Sequence, residues 1–255
     1  MIYMITAATR GRRRERPVLS YVSSYRQLAD AQKGRGRGAP AYSLYVNRPV
    51  GRVFAAALHE MHLTPNQVSA ISAVFTAAGI VLLATVPATV WLGVVVWLLL
   101  AVGYALDSAD GQVARLRGGG SLAGEWLDHV IDAFKAVCLP LAAAIGWYRF
   151  FPLAHDAWLL VPLVLAVATT VEFFGMILND LLKARQGLPQ ATERGGSSVL
   201  RSLMGLPTDY GVVCFAFVLW GFPGVFVIVY ALLTLAEVAY VALALPTWFV
   251  RMKRL

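Results

Sequence analysis

Residues 90–115 read VWLGVVVWLLLAVGYALDSADGQVAR, an apolar stretch of seventeen residues followed by a segment that contains two aspartates. A helix needs roughly 20 apolar residues to cross a bilayer core of ~30 Å. The apolar part, residues 90–106, is therefore interpreted as a membrane span that ends just before Asp107 and Asp110. Working outward from it, five further apolar stretches are present: residues 68–86, 126–147, 158–182, 210–221 and 225–248.

The composition supports a membrane protein over a soluble one. Of the 255 residues, 58% are hydrophobic and only 14% are charged, and the mean hydropathy is +0.65. A soluble domain of this size usually carries about 25% charged residues. The sequence predicts an all-α polytopic membrane protein with six transmembrane helices. Four tryptophans near predicted span ends are interpreted as an aromatic belt: Trp126, Trp147, Trp158 and Trp248.

The residues ahead of the first span predict two different segments. Residues 1–47 are rich in Arg and Gly and are expected to form a disordered cytoplasmic tail. Residues 48–66 predict an amphipathic helix lying in the cytoplasmic interface. Thr64 and Pro65 suit the N-cap and first position of the next helix. The span region is taken as residues 67–250, with a basic tail at 251–255. The apolar face of the amphipathic helix consists of Val50, Val53, Phe54, Ala57, Leu58 and Met61.

The basic residues predict how the chain sits in the membrane. The net charge is +8, and 20 of the 22 Lys and Arg residues fall on one side of a six-span arrangement. Arg149 falls on the other side and Lys135 lies within the third span. By the positive-inside rule, both termini and any active site are expected on the cytoplasmic side of the membrane. A bacterial or archaeal plasma membrane is the expected location. The charge is thus explained by topology, and nucleic acid is not an expected partner.

Four aspartates within 26 residues form the main candidate site. Asp107 and Asp110 share one helix face, and Asp128 and Asp132 share another, because residues three or four apart lie on one side of a helix. The short connection contains three consecutive glycines, so the two helices are expected to be antiparallel neighbours whose carboxylates converge. Hard oxygen ligands favour Mg²⁺, with Mn²⁺ as an alternative, and Mg²⁺ in turn commonly binds substrate phosphates.

Two interpretations without catalysis remain open from the residues alone. The aspartates are compatible with interhelical salt bridges or a water-filled vestibule. They are also compatible with a cation-coupled transporter, although that class usually has repeated halves and acids distributed through the membrane depth. Charged residues at membrane depth are costly, about 2.5–3.5 kcal/mol each on insertion scales. Four of them at one end of the bundle favour a functional site.

The spacing of these residues resembles the motif of the CDP-alcohol phosphotransferase family, also named CDP-alcohol phosphatidyltransferases. The segment from Asp107 to Arg115 is followed after eight residues by Gly124, then by Asp128 and Asp132 at intervals of three intervening residues. The resemblance extends over residues 48–248 and leaves out the first forty residues. All eight specified positions match: Asp107, Asp110, Gly111, Ala114, Arg115, Gly124, Asp128 and Asp132.

The resemblance implies an enzyme that transfers a phospho-alcohol group from a CDP-alcohol to an acceptor alcohol and releases CMP. Asp107, Asp110 and Asp128 would bind Mg²⁺, as two ions with Asp132 at the edge of the site. Asp132 would also act as general base. The family's members are commonly homodimers, and this is expected for the present chain. The nucleotide and its diphosphate would contact Asp110, Gly111, Ala114, Arg115, Gly124 and Asn66.

The substrates are less determined than the reaction. CDP-diacylglycerol is the favoured donor, with phospholipid synthesis as the result. The alternative is a CDP-inositol-using enzyme similar to di-myo-inositol phosphate phosphate synthases, which the segment YVNRP at residues 45–49 resembles. Many members have Arg directly after the last aspartate, where this chain has Ala133; Lys135 either replaces that charge or pairs with an acid.

Several polar residues outside the motif also have candidate roles. Lys183, Arg185, Arg201 and Lys135 are candidate ligands of an anionic acceptor, with ordinary positive-inside charge as the alternative for the first three. Asn66 has the alternative role of capping the first span. Glu172 and Glu237 lie deep in predicted spans and are interpreted as interhelical hydrogen-bonding partners.

Overall fold

The computed structural model describes residues 20–33, 40–187 and 205–255. Within these ranges the chain is helical, which confirms the predicted all-α membrane architecture. Short 3₁₀ or π-helical segments precede or extend some of the helices. The α-helices are α1 (Tyr21–Lys33), α2 (Arg48–Glu60), α3 (Pro65–Thr85), α4 (Val90–Leu116), α5 (Leu122–Phe150), α6 (Leu160–Arg185), α7 (Tyr210–Ala216) and α8 (Pro223–Met252).

Among the described residues, five helices are long and apolar enough to cross a membrane: α3, α4, α5, α6 with its preceding 3₁₀ turn, and α8. The segment predicted as the fifth span in sequence order is shorter than a membrane-spanning helix. Helix α7 and the 3₁₀ turn Phe217–Gly221 together cover only residues 210–221. At 1.5–2.0 Å per residue they extend roughly 20 Å, less than a bilayer core. Five of the six predicted spans are therefore full-length helices, and the remaining one is a short apolar helix.

Side-chain caps set the start of the helices that carry the site. Thr64 and Gln67 form a reciprocal capping box at the start of α3, with Pro65 in the first turn, as the sequence predicts. The Gln67 N–H donates to Thr64 Oγ1 at 3.3 Å, and the Thr64 N–H donates to Gln67 Oε1 at 2.8 Å. At the start of α5, Ser121 Oγ accepts the N–H of Gly124 at 3.1 Å. These bonds satisfy amide groups that a helix start leaves unpaired.

The turn between α4 and α5 depends on glycine. Gly118 and Gly119 have φ values of 96° and 135°, which residues with a Cβ rarely adopt. The Gly119 N–H donates to the Ala114 carbonyl at 2.9 Å and so closes the end of α4. The chain thereby reverses within five residues, 117–121. This short reversal makes α4 and α5 adjacent and places their charged ends at the same end of the bundle.

The basic segment ahead of α2 is more ordered than predicted. The expectation of disorder through residue 47 is wrong for Tyr21–Lys33, which forms α1. Leu28 is buried where α1 packs against α2, and the Arg52 guanidinium lies 4.8 Å from the ring centre of Tyr25. Residues 41–47 are helical rather than disordered as well, and run into α2. The rest of the predicted tail, residues 1–19 and 34–39, lies outside the described residues.

The predicted amphipathic helix is present as α2 but ends at Glu60 instead of residue 66. Its small residues, including Gly51 and Ala55, pack against α4. A Cβ on Gly51 would lie 2.9 Å from the carbonyl oxygen of Ala105. Val50 and Val53, on the predicted apolar face, are 43% and 46% exposed. Part of that face is therefore turned away from the bundle, as expected of a helix at a membrane surface.

An aromatic cluster forms the core at the end of α5 opposite the aspartates. Trp147, Phe217, Trp220, Phe226 and Tyr230 are all fully buried and contact one another in tilted or edge-to-face pairs. The interpretation of Trp147 as part of an aromatic belt is therefore wrong. Trp147 lies near the end of its helix, as predicted, but its side chain faces the core. The cluster joins α5, α8 and the 3₁₀ turn after α7.

Candidate active site

The turn between α4 and α5 brings three of the four motif aspartates together. One carboxylate oxygen from each of Asp107, Asp128 and Asp132 lies within 4.8 Å of the other two. Ligands on opposite sides of one hard divalent cation are about this far apart, since such metal–oxygen bonds measure roughly 2.0–2.6 Å. The convergence predicted from the two helix faces is therefore present. The three residues are only partly buried, so a ligand could reach their carboxylates.

Lys135 supplies a positive charge inside this cluster. Its ammonium group donates to Asp132 Oδ1 at 3.0 Å and also to Asp107 Oδ1. The Lys135 side chain is only 5% exposed. One ammonium among three carboxylates leaves an excess of negative charge, which a bound divalent cation would offset. Of the two roles left open for Lys135, the structure shows pairing with acids.

Asp110 faces a different neighbour from the other three aspartates. It is 8% exposed, and the Ser69 hydroxyl of α3 donates to its Oδ2. Asp110 is not part of the group of converging oxygens formed by the described residues. Ser69 was not predicted as a site residue. Ser69, Ser72 and Thr76 are buried polar residues in an otherwise apolar helix. Their helical spacing is the sequence signal that identifies the face of α3 turned to α4.

The residues predicted to contact the nucleotide lie near the turn between α4 and α5. Gly111 and Arg115 are exposed one turn apart on α4, and a Cβ on Gly111 would meet only the Arg115 side chain, at 3.9 Å. A Cβ on Gly124 would lie 3.0 Å from Asn66 Oδ1. The first turns of α3 and α5 are therefore in close contact. Ala114 is half-buried on the same part of α4.

A cavity of about 530 Å³ extends from the aspartates between α5, α6 and α8. Asp107, Asp132 and Lys135 line one part of it, and Glu172 and Glu237 line another. The cavity falls in the size range of small-molecule sites, roughly 300–1,000 Å³. The two glutamates are neighbours across α6 and α8. Their hydrogen bonding to each other stays a prediction.

Asp209, immediately before α7, also lines the cavity and was not predicted as a site residue. Its carboxylate accepts the N–H groups of Ser43 at 3.0 Å and Gly211 at 2.9 Å. Burial raises the pKa of Asp209, and these two hydrogen bonds act in the opposite direction. Asp209 therefore ties the segment ahead of α2 to the start of α7. An acid directly before an apolar helix is a capping signal that the sequence contained.

Two of the other candidate acceptor ligands, Lys183 and Arg185, do not line this cavity. Lys183 donates to Asp180 Oδ1 at 3.1 Å, one turn away on α6. Arg185 is exposed at the end of α6. Neither residue is among those that line the cavity. Arg201 lies outside the described residues. Lys135, the fourth candidate, is at the centre of the site.

Comparison with known proteins agrees with this geometry. Residues 62–250 match the model of the CDP-alcohol phosphatidyltransferase family. The chain belongs to this family. It is also 30% identical over 152 residues to the phosphatidylinositol phosphate synthase of Corynebacterium glutamicum, which covers 58% of this chain and 64% of that protein. The family match includes every motif residue and α3 to α8 almost completely, and it leaves out α1 and α2.

Proposed function

We propose that this CDP-alcohol phosphatidyltransferase transfers a phosphatidyl group from CDP-diacylglycerol to a polar acceptor alcohol and releases CMP. The observation that carries the proposal is the convergence of Asp107, Asp128 and Asp132 beside a cavity of about 530 Å³. Such a site can hold a metal-bound diphosphate on one side and an alcohol on the other. Family membership supports the CDP-alcohol chemistry, and the membrane helices support a lipid substrate.

The donor set fits a hard divalent cation. The converging ligands are carboxylate oxygens, which suit Mg²⁺ or Mn²⁺ and not a thiophilic metal. Asp107, Asp128 and Asp132 would hold the ion, and Asp110 would join them in the two-ion site that the family resemblance implies. A bound metal would neutralise charge on the diphosphate and make CMP a better leaving group.

Asp132 is the proposed general base. It takes the proton of the acceptor hydroxyl as the new oxygen–phosphorus bond forms at the β-phosphorus and the bond to the CMP oxygen breaks. A carboxylate must be ionised to accept this proton. Lys135, whose ammonium lies 3.0 Å from Asp132 Oδ1, favours that ionised form. Lys135 is thus proposed to hold Asp132 in position and to balance its negative charge, as well as to pair with Asp107.

The nucleotide is proposed to bind at the exposed surface near the turn between α4 and α5. Arg115 provides a guanidinium for a phosphate, and Gly111 leaves open space beside it. Asn66 and Gly124 are in contact across α3 and α5, so a base or ribose bound there would touch both helices. Ala114 completes this proposed surface on α4.

The identity of the acceptor is part of the proposal. The name of the Corynebacterium glutamicum relative describes synthesis of phosphatidylinositol phosphate. An inositol-type acceptor is accordingly one of the candidates for this chain. The YVNRP segment, which favours CDP-inositol as donor, has a local structural explanation: Asn47 is buried and donates to the Tyr104 carbonyl at 3.1 Å.

The site is proposed to face the cytoplasm, with both termini on the same side. This follows from the excess of Lys and Arg at the end of the bundle where α4 ends and α5 begins. The plasma membrane of a bacterium or archaeon is the proposed location. A homodimer is proposed from the family resemblance.

The test is CMP release by the purified protein in lipid nanodiscs, with and without Mg²⁺. The donors are CDP-diacylglycerol and CDP-inositol, and the acceptors are inositol, serine, inositol phosphate and glycerol phosphate. Metal-dependent CMP release from CDP-diacylglycerol with at least one acceptor is the expected result. Release from CDP-inositol alone would replace the proposed donor. Release with neither donor would contradict the proposed function.

A further inference from the structure

The cavity beside the aspartates continues to a second polar group that the proposed reaction does not use. Glu172 on α6 and Glu237 on α8 both line it. Glu172 lies 13 residues from the end of α6, and Glu237 lies 15 residues from the end of α8. At 1.5 Å per residue these positions are roughly 20 Å from the helix ends, whereas Asp107 is ~14 Å from the end of α4. The glutamates therefore form the deeper part of the cavity.

The buried end of the Glu237 side chain is incompletely satisfied. Glu237 is 3% exposed and lies next to Glu172. Its Oε1 atom is buried and has no hydrogen-bond partner among the described residues. A buried polar atom without a partner carries a desolvation penalty, so native structures usually provide a partner from protein, water or ligand. Since Glu237 lines the cavity, a molecule in the cavity can provide it.

The charge of the cavity limits what that molecule can be. Among the described residues that line it, Asp107, Asp132, Glu172, Asp209 and Glu237 are acidic and Lys135 is the single base. Lys135 already donates to two of these acids. A phosphate in the deep part of the cavity would therefore lie beside carboxyl groups. The one cation among the described lining residues, Lys135, is already paired with acids. A group that donates N–H or O–H hydrogens would be stabilised there.

We propose that Glu172 and Glu237 bind the acceptor alcohol, and that this acceptor carries no phosphate but donates hydroxyl or ammonium hydrogens to Glu237 Oε1. The proposal rests on the proposed phosphatidyl transfer and names the class of its acceptor: a neutral polyol or an amino alcohol. The acceptor hydroxyl that reacts points to Asp132, and the remaining donors of the molecule point to the glutamate pair. Apolar side chains that also line the cavity, including Phe173, Met176 and Leu233, lower the local dielectric and so strengthen such bonds.

The experiment measures KM for each acceptor in the CMP-release assay with CDP-diacylglycerol and Mg²⁺. The panel contains neutral polyols (inositol, glycerol), amino alcohols (serine, ethanolamine) and phosphorylated alcohols (inositol phosphate, glycerol phosphate). The expected result is turnover with a member of the first two groups. Glu237→Leu is expected to raise the KM for that acceptor about tenfold or more, because a hydrogen bond to a charged or buried group is lost. The KM for the donor and the Mg²⁺ dependence should not change.

Glu237→Gln separates the two acceptor classes. Gln keeps an accepting oxygen and loses the charge, so it should retain most of the affinity for a polyol and lose affinity for an ammonium group. Thr234→Val is the matched control, since Thr234 is a buried polar residue on α8 that bonds to the Tyr230 carbonyl and does not line the cavity. Its acceptor KM should match that of the wild type. The melting temperature of each variant reports on folding.

Two results would overturn the proposal while leaving phosphatidyl transfer intact. One is efficient turnover with phosphorylated alcohols only, which would instead support the Lys183, Arg185 and Arg201 hypothesis. The other is a Glu237→Leu protein with a lower melting temperature but an unchanged acceptor KM, which would assign the pair to helix packing alone. Absence of CMP release with every acceptor would remove the proposed function and this inference together.

Discussion

At the scale of single residues, the site is defined by which side chain pairs with which. The sequence placed four aspartates at one end of the bundle, and the structure divides them into a group of three and Asp110. Lys135 joins Asp107 to Asp132, and Ser69 holds Asp110. These pairings give chemically equal carboxylates different surroundings: three converge with Lys135 among them, whereas Asp110 bonds to a hydroxyl of α3.

The first prediction concerns the base and the metal ligand. Asp132→Asn and Asp128→Asn are each expected to lower the rate of CMP release by about 10²-fold or more. Asp132→Asn removes the proposed general base, which typically contributes 10²–10⁴-fold. Asp128→Asn removes a proposed metal ligand. The measurement is CMP release under saturating donor. Asp156→Asn, an exposed acid in the loop at the other end of α5 and α6, is the control and should keep full activity. A similar loss in the control would contradict a site-specific effect.

The second prediction concerns the charge balance around Lys135. Lys135→Met removes the ammonium that is bonded to two carboxylates, so the remaining acids repel one another. We expect the melting temperature without metal to fall and Mg²⁺ to raise it by more than in the wild type, since the metal then supplies the only compensation. Differential scanning fluorimetry with and without Mg²⁺ measures both values. Equal Mg²⁺ shifts in the two proteins would contradict a metal bound among these acids.

At the scale of elements, close helix packing fixes the site geometry. Helices α3 and α4 approach each other at Gly103, where Ser72 Oγ donates to the Gly103 carbonyl at 2.8 Å. A Cβ on Gly103 would lie 2.5 Å from Thr76 Oγ1. Small residues at such contacts let helix backbones come near each other in a membrane. This contact lies about one turn from Asp107 along α4, so it sets the distance between Asp110 and Ser69.

The third prediction follows from this contact. Gly103→Ala is expected to destabilise the protein by about 1–3 kcal/mol, because overpacking outweighs the gain in helix propensity. The melting temperature in detergent is the measurement. Gly224→Ala is the matched control: Gly224 lies in the first turn of α8, and a Cβ there would meet nothing within 4 Å. It should leave the melting temperature unchanged or raise it. The same loss in both variants would show that the glycine effect is not one of packing.

At the scale of the whole molecule, the arrangement of charges and helices predicts an orientation. The end of the bundle with the aspartates carries the basic residues, and the aromatic cluster of Trp147 and Trp220 lies at the other end. The short helix α7 starts at the aspartate end and leads to Phe222, where α8 begins. The connection at residues 221–223 is therefore expected on the outer face although α7 is too short to be a conventional span.

The fourth prediction tests this orientation. In a protein with Cys138 and Cys214 replaced by Ser, Gly224→Cys should react with a membrane-impermeant maleimide in intact cells. Gly187→Cys, just after α6, should react only after the membrane is opened. The reagent reaches only the outer face, so the pair reports the sidedness of α8 and α6. The reverse labelling pattern would place the aspartates outside the cell and contradict a cytoplasmic site.

Much of the fold and the main site could be predicted because their signals are local. Apolar length predicts α3 to α6 and α8, since a membrane helix satisfies its own backbone. The Thr64 cap and the spacing of Asp128 and Asp132 depend on residues within one turn. The same reasoning failed at Tyr21–Lys33, where a polar and basic composition did not reveal that Leu28 packs against α2. It also failed at Trp147, because closeness to a helix end does not say whether a side chain faces lipid or core.

The sequence by itself determined the membrane helices α3 to α6 and α8, the Thr64 cap, the glycine turn and the end of the bundle at which the aspartates gather. Only the tertiary structure decided that Lys135 bonds to Asp107 and Asp132, that Ser69 holds Asp110, and that Glu172 and Glu237 border the same cavity as the base. The first group follows from hydrogen bonds and hydrophobicity within a few residues of chain. The second depends on the rotation of each helix about its axis and on its distance from its neighbours, which are set by side-chain packing between residues far apart in sequence.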